Sequence, residues 1–223
     1  MADVADLKVQ AKLYRDAKDY DGAIVELQTA IELIERSGWD KDGDDSGPSD
    51  TQKKVAWHFA DCLGMLGGNY RRIQQLDSAI TCFKRGRVYE AKDSRYQIPS
   101  SYNTVNAIVA PIEARRRDAT SQADELRRAI ETLEYQIFDP GMAEDSRRQD
   151  RWAWADLGQC KLLLGDKEGA YAAYQRLREL ADRSEIGSAC NVLKSIHDAL
   201  AEQGDPKAAV VEAGLDFLQS GLK

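Results

Sequence analysis

The stretch LGMLGGNYRRIQQLDSAITCF, residues 63–83, is the strongest indication of the fold, because its pattern returns in WADLGQCKLLLGDKEGAYAAY, residues 154–174. Both stretches place Leu-Gly early, an alanine in the middle and an aromatic residue at the end. The shared positions are Leu66, Gly67, Tyr70, Ala79 and Phe83 in the first stretch and Leu157, Gly158, Lys161, Ala170 and Tyr174 in the second, which opens on Trp154. This repetition predicts two copies of one structural unit.

Each copy has the spacing of two helices joined by a turn. Leu63, Leu66 and Tyr70 recur three and four residues apart, as on one face of a helix. Gly67 lacks the side chain that would hold the helices apart, and we expect the aromatic residue at the end to fill the gap to the next unit. The glycines could instead wrap a phosphate, but that loop needs a following Lys and Ser or Thr and a preceding strand. Both are missing, so a helix is favoured.

Weaker copies of the pattern occupy residues 7–30 and 193–213, and residues 100–140 contain an irregular helix pair without it. Pro111 predicts a kink or an early stop in the first helix of that irregular pair. The sequence therefore predicts an all-α fold, an irregular α-α superhelical solenoid of about five antiparallel helix pairs, as a single array over residues 1–223. The acidic stretch 37–50 is expected to be a flexible insertion, since Asp40, Asp42 and Asp44 match a calcium loop only in part.

The repeated residues resemble the tetratricopeptide repeat (TPR) family, in which Trp or Leu, Leu-Gly and an aromatic residue are followed by Ala and an aromatic residue. The match is close at 63–83 and departs at Lys161 in 154–174. The resemblance implies a scaffold or adaptor that binds a protein or peptide on a concave face formed by the first helix of each pair. Chaperone-tail binding is disfavoured, because Gly64 and Gly68 stand where that activity would place Lys and Asn.

A second resemblance lies in residues 76–109, LDSAITCFKRG through SSYNTVNAIV. This region is similar to the TPR-like TRAF-binding region of apoptosis signal-regulating kinases and their bacterial relatives, in which a Tyr-x-x-x-Asn-Ala segment opens the helix after a repeat. Here that segment would run from Tyr102 to Ala107. The resemblance implies a regulatory, protein-interaction module in a signalling or defence system.

Composition argues against nucleic-acid binding, a membrane span and secretion. The formal net charge of −7 opposes binding to a nucleic-acid backbone, and the sequence has no apolar run of the roughly 20 residues that cross a bilayer. The four cysteines form no Cys-x-x-Cys pair, and MADVADLKVQ lacks the apolar run of a secretory signal. We therefore expect a cytoplasmic protein without nucleic-acid or membrane partners.

The sequence contains no recognisable pattern of catalytic or metal-binding residues. The only two histidines, His58 and His197, are far apart in sequence and have no recognisable partners for a metal site or a catalytic triad. We therefore predict no catalytic residues, no metal site, no cofactor and no enzymatic activity.

The helix faces opposite the packing residues suggest where a partner binds. Asparagine amides can hold a peptide backbone, and arginine pairs with carboxylates. The predicted partner-binding residues are Arg71, Arg72, Asn103, Asn106, Trp152 and Gln159. The alternative is that these side chains are solvated or cap turns. We also expect Gly64 and Gly68 to lie on this open face.

A different class of function stays open. The chain could be a small-ligand or nucleotide sensor that uses its arginine clusters, 115–117, 127–128 and 147–148. Solvated helix faces with nearby acidic residues are the simpler explanation of these clusters. Oligomeric state, partner identity and pathway do not follow from the sequence.

Overall fold

The computed structural model describes residues 2–40, 47–138 and 147–220. Within these ranges the regular elements are helical, which confirms the predicted all-α class. A short 3₁₀ helix, Arg147–Gln149, precedes α7. No helix in the described ranges is long and apolar enough to span a membrane. The α-helices are α1 Ala2–Asp16, α2 Tyr20–Arg36, α3 Asp50–Arg72, α4 Leu76–Glu90, α5 Tyr102–Glu113, α6 Ala123–Phe138, α7 Arg151–Leu164, α8 Lys167–Leu180, α9 Arg183–Glu202 and α10 Lys207–Ser220.

The helices pack as neighbouring pairs. Direct contacts join α1 to α2, α3 to α4, α7 to α8 and α9 to α10, and α2 also contacts α3 while α6 contacts α7. Because short turns join the partners of these pairs, the two helices of each pair are antiparallel. This is the packing that an α-α solenoid predicts.

The chain divides into two compact units, Met1–Ala107 and Ile108–Lys223, and α5 passes from the first into the second. The first unit holds α1 to α4, and the second holds α6 to α10. The prediction of a single array over the whole chain stays a prediction. Each unit has its own core of buried apolar side chains.

The same backbone motif ends five helices, α1, α3, α5, α7 and α9. A residue with left-handed φ, such as Gln74 at 62° or Gly165 at 94°, reverses the chain. The next N–H then donates to the carbonyl five residues back, at 2.9 Å in every copy. The accepting carbonyls belong to Tyr14, Tyr70, Pro111, Lys161 and Leu200. The backbone therefore repeats in a fixed register, even where the side chains differ.

This register explains the irregular third pair. Pro111 occupies the position of Tyr70, and α5 ends shortly after it, at Glu113. The second helix, α6, starts only at Ala123, so this pair has a longer connection than the others. The irregularity lies in that connection, because the first helix ends as in the other pairs.

The glycines of the repeat lie under aromatic rings of their own helix pair. A Cβ atom on Gly67 would lie 2.6 Å from Cε1 of Phe83, and a Cβ atom on Gly158 would overlap the ring of Tyr174. Both rings are fully buried. Each aromatic residue therefore fills the space above its own glycine. The last pair departs from the pattern, because Ala209, aligned with Ala79, is exposed.

The acidic stretch 37–50 is described only at its two ends. Trp39 packs against Phe59, Tyr89 and Tyr96, with ring centroids 5.4–6.0 Å apart. Ser49 begins α3 with a capping box that also uses Gln52. Asp42 and Asp44, two positions of the partial calcium pattern, lie outside the described residues.

Candidate interaction surface

A tyrosine covers the glycine face of α3. A Cβ atom on Gly64 would lie 2.9 Å from Cδ1 of Tyr102, and one on Gly68 would lie 3.0 Å from its hydroxyl oxygen. The Tyr102 ring also meets Phe83 edge-on, with centroids 5.9 Å apart. The expectation that Gly64 and Gly68 lie on an open face is therefore wrong. Their missing side chains make room for Tyr102, which itself remains 44% exposed.

Glu90 fixes the start of α5. Its carboxylate accepts hydrogen bonds from the backbone N–H groups of Asn103 and Thr104, at 3.1 and 2.8 Å. The side chains of Ser100, Asn103 and Thr104 donate to the same carboxylate at 2.8–2.9 Å. Glu90 is 1% exposed. Its charge complements the positive end of the helix dipole and satisfies N–H groups that a helix start leaves unpaired.

Asn103 ties three helices together. Its side-chain amide donates to Glu90 of α4 and, at 2.9 Å, to the carbonyl of Ala60 in α3. Gly86 lies so close that a Cβ atom there would overlap the amide. Asn103 is fully enclosed, with 1% of its surface exposed. The expectation that Asn103 lies on an open face is wrong, because the start of α5 packs on α3 and α4.

Arg71 and Asn106 form a hydrogen-bonded pair at the first turn of α5. Nη1 of Arg71 donates to Oδ1 of Asn106 at 3.1 Å, and Nδ2 of Asn106 donates to the carbonyl of Tyr102 at 2.7 Å. Asn106 is buried, contrary to the open position expected for it. Its amide is oriented by both contacts, so it holds the Arg71 guanidinium beside the first turn of α5.

Arg72 lies at the exposed edge. Its Nη1 donates to the carbonyl of Gly68 at 2.9 Å, close to the hydroxyl of Tyr102. We call the group formed by Arg71, Arg72, Tyr102 and Asn106 the Arg72–Tyr102 surface. Both arginines end α3, where the helix dipole favours positive charge. The surface thus offers guanidinium donors beside a half-exposed aromatic ring.

The repeat itself does not require arginines here. When Gly67 is aligned with Gly158, Arg71 and Arg72 correspond to Leu162 and Leu163 of α7. Both leucines are completely buried. The two copies therefore place opposite chemistry at equivalent positions of the same motif.

The remaining predicted residues belong to the second unit. Trp152 is 39% exposed, and the Arg151 guanidinium lies 5.8 Å from the centre of its ring. Gln159 is buried in α7, contrary to the open position predicted for it. The structure thus groups Arg71, Arg72, Asn103 and Asn106 in the first unit, while Trp152 and Gln159 lie in the second.

Sequence reasoning missed two residues of this region. The sequence predicts Tyr102 only as the residue that opens the helix after a repeat, because nothing in the sequence pairs it with the glycines of α3. Glu90 was not singled out, since a glutamate at the end of a helix usually faces solvent. The spacing of small residues at 64 and 68 was the one available signal for Tyr102.

None of the four cysteine thiols is activated as a nucleophile. Burial raises the pKa of Cys62 to about 12 and that of Cys82 to about 11. Burial also raises the pKa of Cys160 and Cys190. All four thiols are therefore protonated at neutral pH. In the part of the chain that the structure describes, no three His, Cys, Asp or Glu side chains come together as metal ligands would.

Comparisons with known proteins give distant similarity alone. No protein-family model matches the chain, and no curated protein matches it. One similar solved structure is BtubC (BKLC) from P. vanneervenii, at 12% identity and a TM-score of 0.39, covering 99% of this chain and 89% of that one. Another is the complex of the TPR2AB domain of yeast Sti1 with pHSP90, at 12% identity and a TM-score of 0.21, covering 97% of this chain and 98% of that one.

Proposed function

We propose that this chain is a non-catalytic scaffold or adaptor that binds a protein or peptide partner through the Arg72–Tyr102 surface. Arginine and tyrosine are the side chains that most often anchor protein interfaces. Arg72 and Tyr102 are both exposed, and Arg71 and Asn106 hold the base beneath them. The partner segment carries a carboxylate for the guanidinium groups and an apolar side chain for the ring.

The observation that carries this proposal is the difference between two copies of one motif. Leu162 and Leu163 show that these positions can serve packing alone. Arg71 and Arg72 give up that apolar burial, which is worth about 1.5–3 kcal/mol per leucine side chain. We therefore assign them to binding, and we include Trp152 of the second unit as a separate exposed contact.

The wider role follows from the resemblances in the sequence. A regulatory module in a signalling or defence system, acting in the cytoplasm, agrees with four buried, unpaired cysteines. Those protonated thiols, together with the absence of a catalytic pattern in the sequence, support a role without catalysis.

A peptide-display selection tests the proposal. The full chain is immobilised, a random peptide library is selected against it, and the enriched peptides are synthesised with a fluorescent label. Binding is measured by anisotropy for wild type, for the double variant Arg72→Ala with Tyr102→Ala, and for Arg36→Ala as a matched control. Arg36 is an exposed arginine at the end of α2.

We expect peptides rich in carboxylates that lose at least tenfold in affinity with the double variant and keep their affinity for Arg36→Ala. Circular dichroism melting confirms that the double variant is folded. A selection that enriches no peptide, or peptides that bind wild type and the double variant equally, would overturn the proposal.

A further inference from the structure

Lys8 is an enclosed, charged side chain where α1 meets α3, with only 7% of its surface exposed. Its ammonium group lies 2.5 Å from Oδ2 of Asp61 and 3.3 Å from Nδ1 of His58, both in α3. It also lies 4.5 Å from the centre of the Trp57 ring. We call the group formed by Lys8, His58 and Asp61 the Lys8–His58 cluster.

The hydrogen bond between Lys8 and His58 requires a neutral imidazole. An ammonium group carries donors and no acceptor, so Nδ1 of His58 must be the acceptor. The ring is therefore uncharged and carries its proton on Nε2. A protonated His58 would direct an N–H group at the Lys8 ammonium and place two positive charges side by side. The observed contact therefore excludes the charged form of His58.

The surroundings of His58 also oppose its protonation. Burial lowers the pKa of His58 below 6.5, and the positive charge of Lys8 lowers it further. Among the described residues, two other charges act on the ring, both from its own helix: Asp61 raises the pKa and Lys54 lowers it. Asp61 does not reverse the shift, because its carboxylate also neutralises Lys8.

The cluster is the polar link between α1 and α3. In the described part of the chain, the hydrogen bonds and ion pairs that join these two helices all come from Lys8. The remaining contacts of α1 are apolar, and they include Val4 and Ala11, which are buried in the core of the first unit. A change at His58 therefore acts directly on how α1 is held to α3.

The direction of the pH dependence follows from this geometry. His58 is difficult to protonate while Lys8 is in place, and it regains the ordinary histidine pKa of about 6.5 once α1 has moved away. Acid therefore favours the state in which the two helices are separated. The contact is fully stable above about pH 6.5 and weakens as the pH falls below that value.

We propose that the Lys8–His58 cluster is a pH-sensitive contact that releases α1 from α3 on mild acidification. Protonation of His58 removes the acceptor for Lys8 and sets a second positive charge against an ammonium that has little access to water. Release exposes Val4 and Ala11, which are otherwise enclosed. The cluster lies about four helical turns before Arg72 in α3, so it is separate from the Arg72–Tyr102 surface.

Hydrogen exchange of the full chain, followed by mass spectrometry at pH 7.5 and pH 5.5, tests the proposal. Protection factors are corrected for the intrinsic exchange rate at each pH, and peptides from α1 are compared with peptides from α8. His58→Gln keeps an acceptor for Lys8 but cannot titrate. His197→Gln is the matched control, since His197 is the other histidine of the chain and lies beside Asp198 in α9.

A second variant, Lys8→Met, keeps an unbranched side chain and removes the charge that faces His58. NMR titration of the His58 ring measures its pKa in wild type and in this variant. Circular dichroism checks that every variant is folded, and Lys8→Met decides the outcome if His58→Gln is not.

We expect the protection of α1 to fall at least threefold from pH 7.5 to pH 5.5 in wild type and in His197→Gln, and less than twofold in His58→Gln and in Lys8→Met. Protection of α8 should change less than twofold in all of them. The pKa of His58 should lie below 6.5 in wild type and rise in Lys8→Met. Protection of α1 that does not depend on pH in wild type, or that falls equally in His58→Gln, would overturn the proposal. A pKa of His58 that is unchanged by Lys8→Met would overturn it as well.

Discussion

The helix pairs α3–α4 and α7–α8 are two copies of one motif that differ at their surfaces. In both, the ring of an aromatic residue in the second helix packs directly on a glycine of the first helix: Phe83 on Gly67 and Tyr174 on Gly158. In both, the first helix ends with the same reversal of the backbone. These shared contacts are the ones on which the fold depends.

The copies differ first at the position that follows the glycine by three residues. Tyr70 accepts a hydrogen bond from Gln28 of α2 at 3.0 Å, whereas Lys161 forms an ion pair with Glu134 of α6 at 2.9 Å. Each side chain reaches the second helix of the preceding pair. Lys161 therefore replaces the hydrogen bond with an ion pair. In both copies, the contact joins the first helix of the pair to the second helix of the preceding pair.

The copies differ also at the end of the first helix. Arg71 and Arg72 stand where α7 has the buried leucines Leu162 and Leu163. Here the chemistry changes from apolar packing to charge, which is half-buried at Arg71 and exposed at Arg72. The shared positions thus carry the fold, while the departures are of two kinds: Lys161 keeps a contact between helices, and Arg71 and Arg72 replace buried leucines.

The largest effect should come from removing the aromatic residue in either copy. Phe83→Ala and Tyr174→Ala should each lower the free energy of unfolding by about 3–5 kcal/mol, because each empties a fully enclosed site. Urea denaturation measures both. A loss in one copy without a comparable loss in the other would show that the two glycine–ring contacts are not equivalent.

A matched control is available in the second copy. The Tyr174 hydroxyl is buried and has no hydrogen-bond partner among the described residues. Tyr174→Phe should therefore leave stability unchanged or raise it, since it removes an unsatisfied polar group and keeps the ring. A large loss on Tyr174→Phe would mean that the hydroxyl, rather than the ring, stabilises the pair.

The next largest loss of stability should come from the buried carboxylate of Glu90 in the first unit. Glu90→Gln should lower the free energy of unfolding by about 1.5–3 kcal/mol, because an amide cannot accept all the hydrogen bonds that the carboxylate accepts at the start of α5. Chemical denaturation measures the loss, with Glu131→Gln on the exposed face of α6 as the control. An equal effect of the two substitutions would contradict the role given to Glu90.

Adding a side chain at either repeat glycine should cost less. Gly67→Val and Gly158→Val should each lower stability by roughly 1–3 kcal/mol, because the new methyl groups overlap the aromatic ring. Thermal melting followed by circular dichroism measures the change. A melting curve equal to that of wild type would argue against the packing role of the glycine concerned.

A glycine outside the motif should respond in the opposite direction. Gly187 lies inside α9, and a Cβ atom there would meet no described atom within 4 Å. Gly187→Ala should raise stability by about 0.5–1 kcal/mol, because alanine is the better helix former. The same melting experiment checks it, and a fall in stability would show that α9 has a close contact at this position.

The sequence predicts the helix pairs well, because glycine, alanine and aromatic spacing follow directly from how two helices approach each other. It predicts the surface poorly. The first helix of a pair packs on its own partner, which the repeat spacing predicts. The start of α5 also packs on α3, and the repeat spacing does not predict this contact. Tyr102 covers Gly64 and Gly68 for that reason, and Asn103 is buried because Glu90 holds the start of α5.

We propose that Arg72 serves binding, whereas Leu163, at the same position of the motif, serves packing. The substitution Arg72→Leu separates the two roles when the free energy of unfolding and the affinity for a selected peptide are measured on the same protein, with Arg36→Leu as control. We expect a change in the free energy of unfolding within about 0.5 kcal/mol, as for an exposed side chain, together with at least a tenfold loss of affinity. Unchanged affinity, or a loss of stability of several kcal/mol, would contradict it.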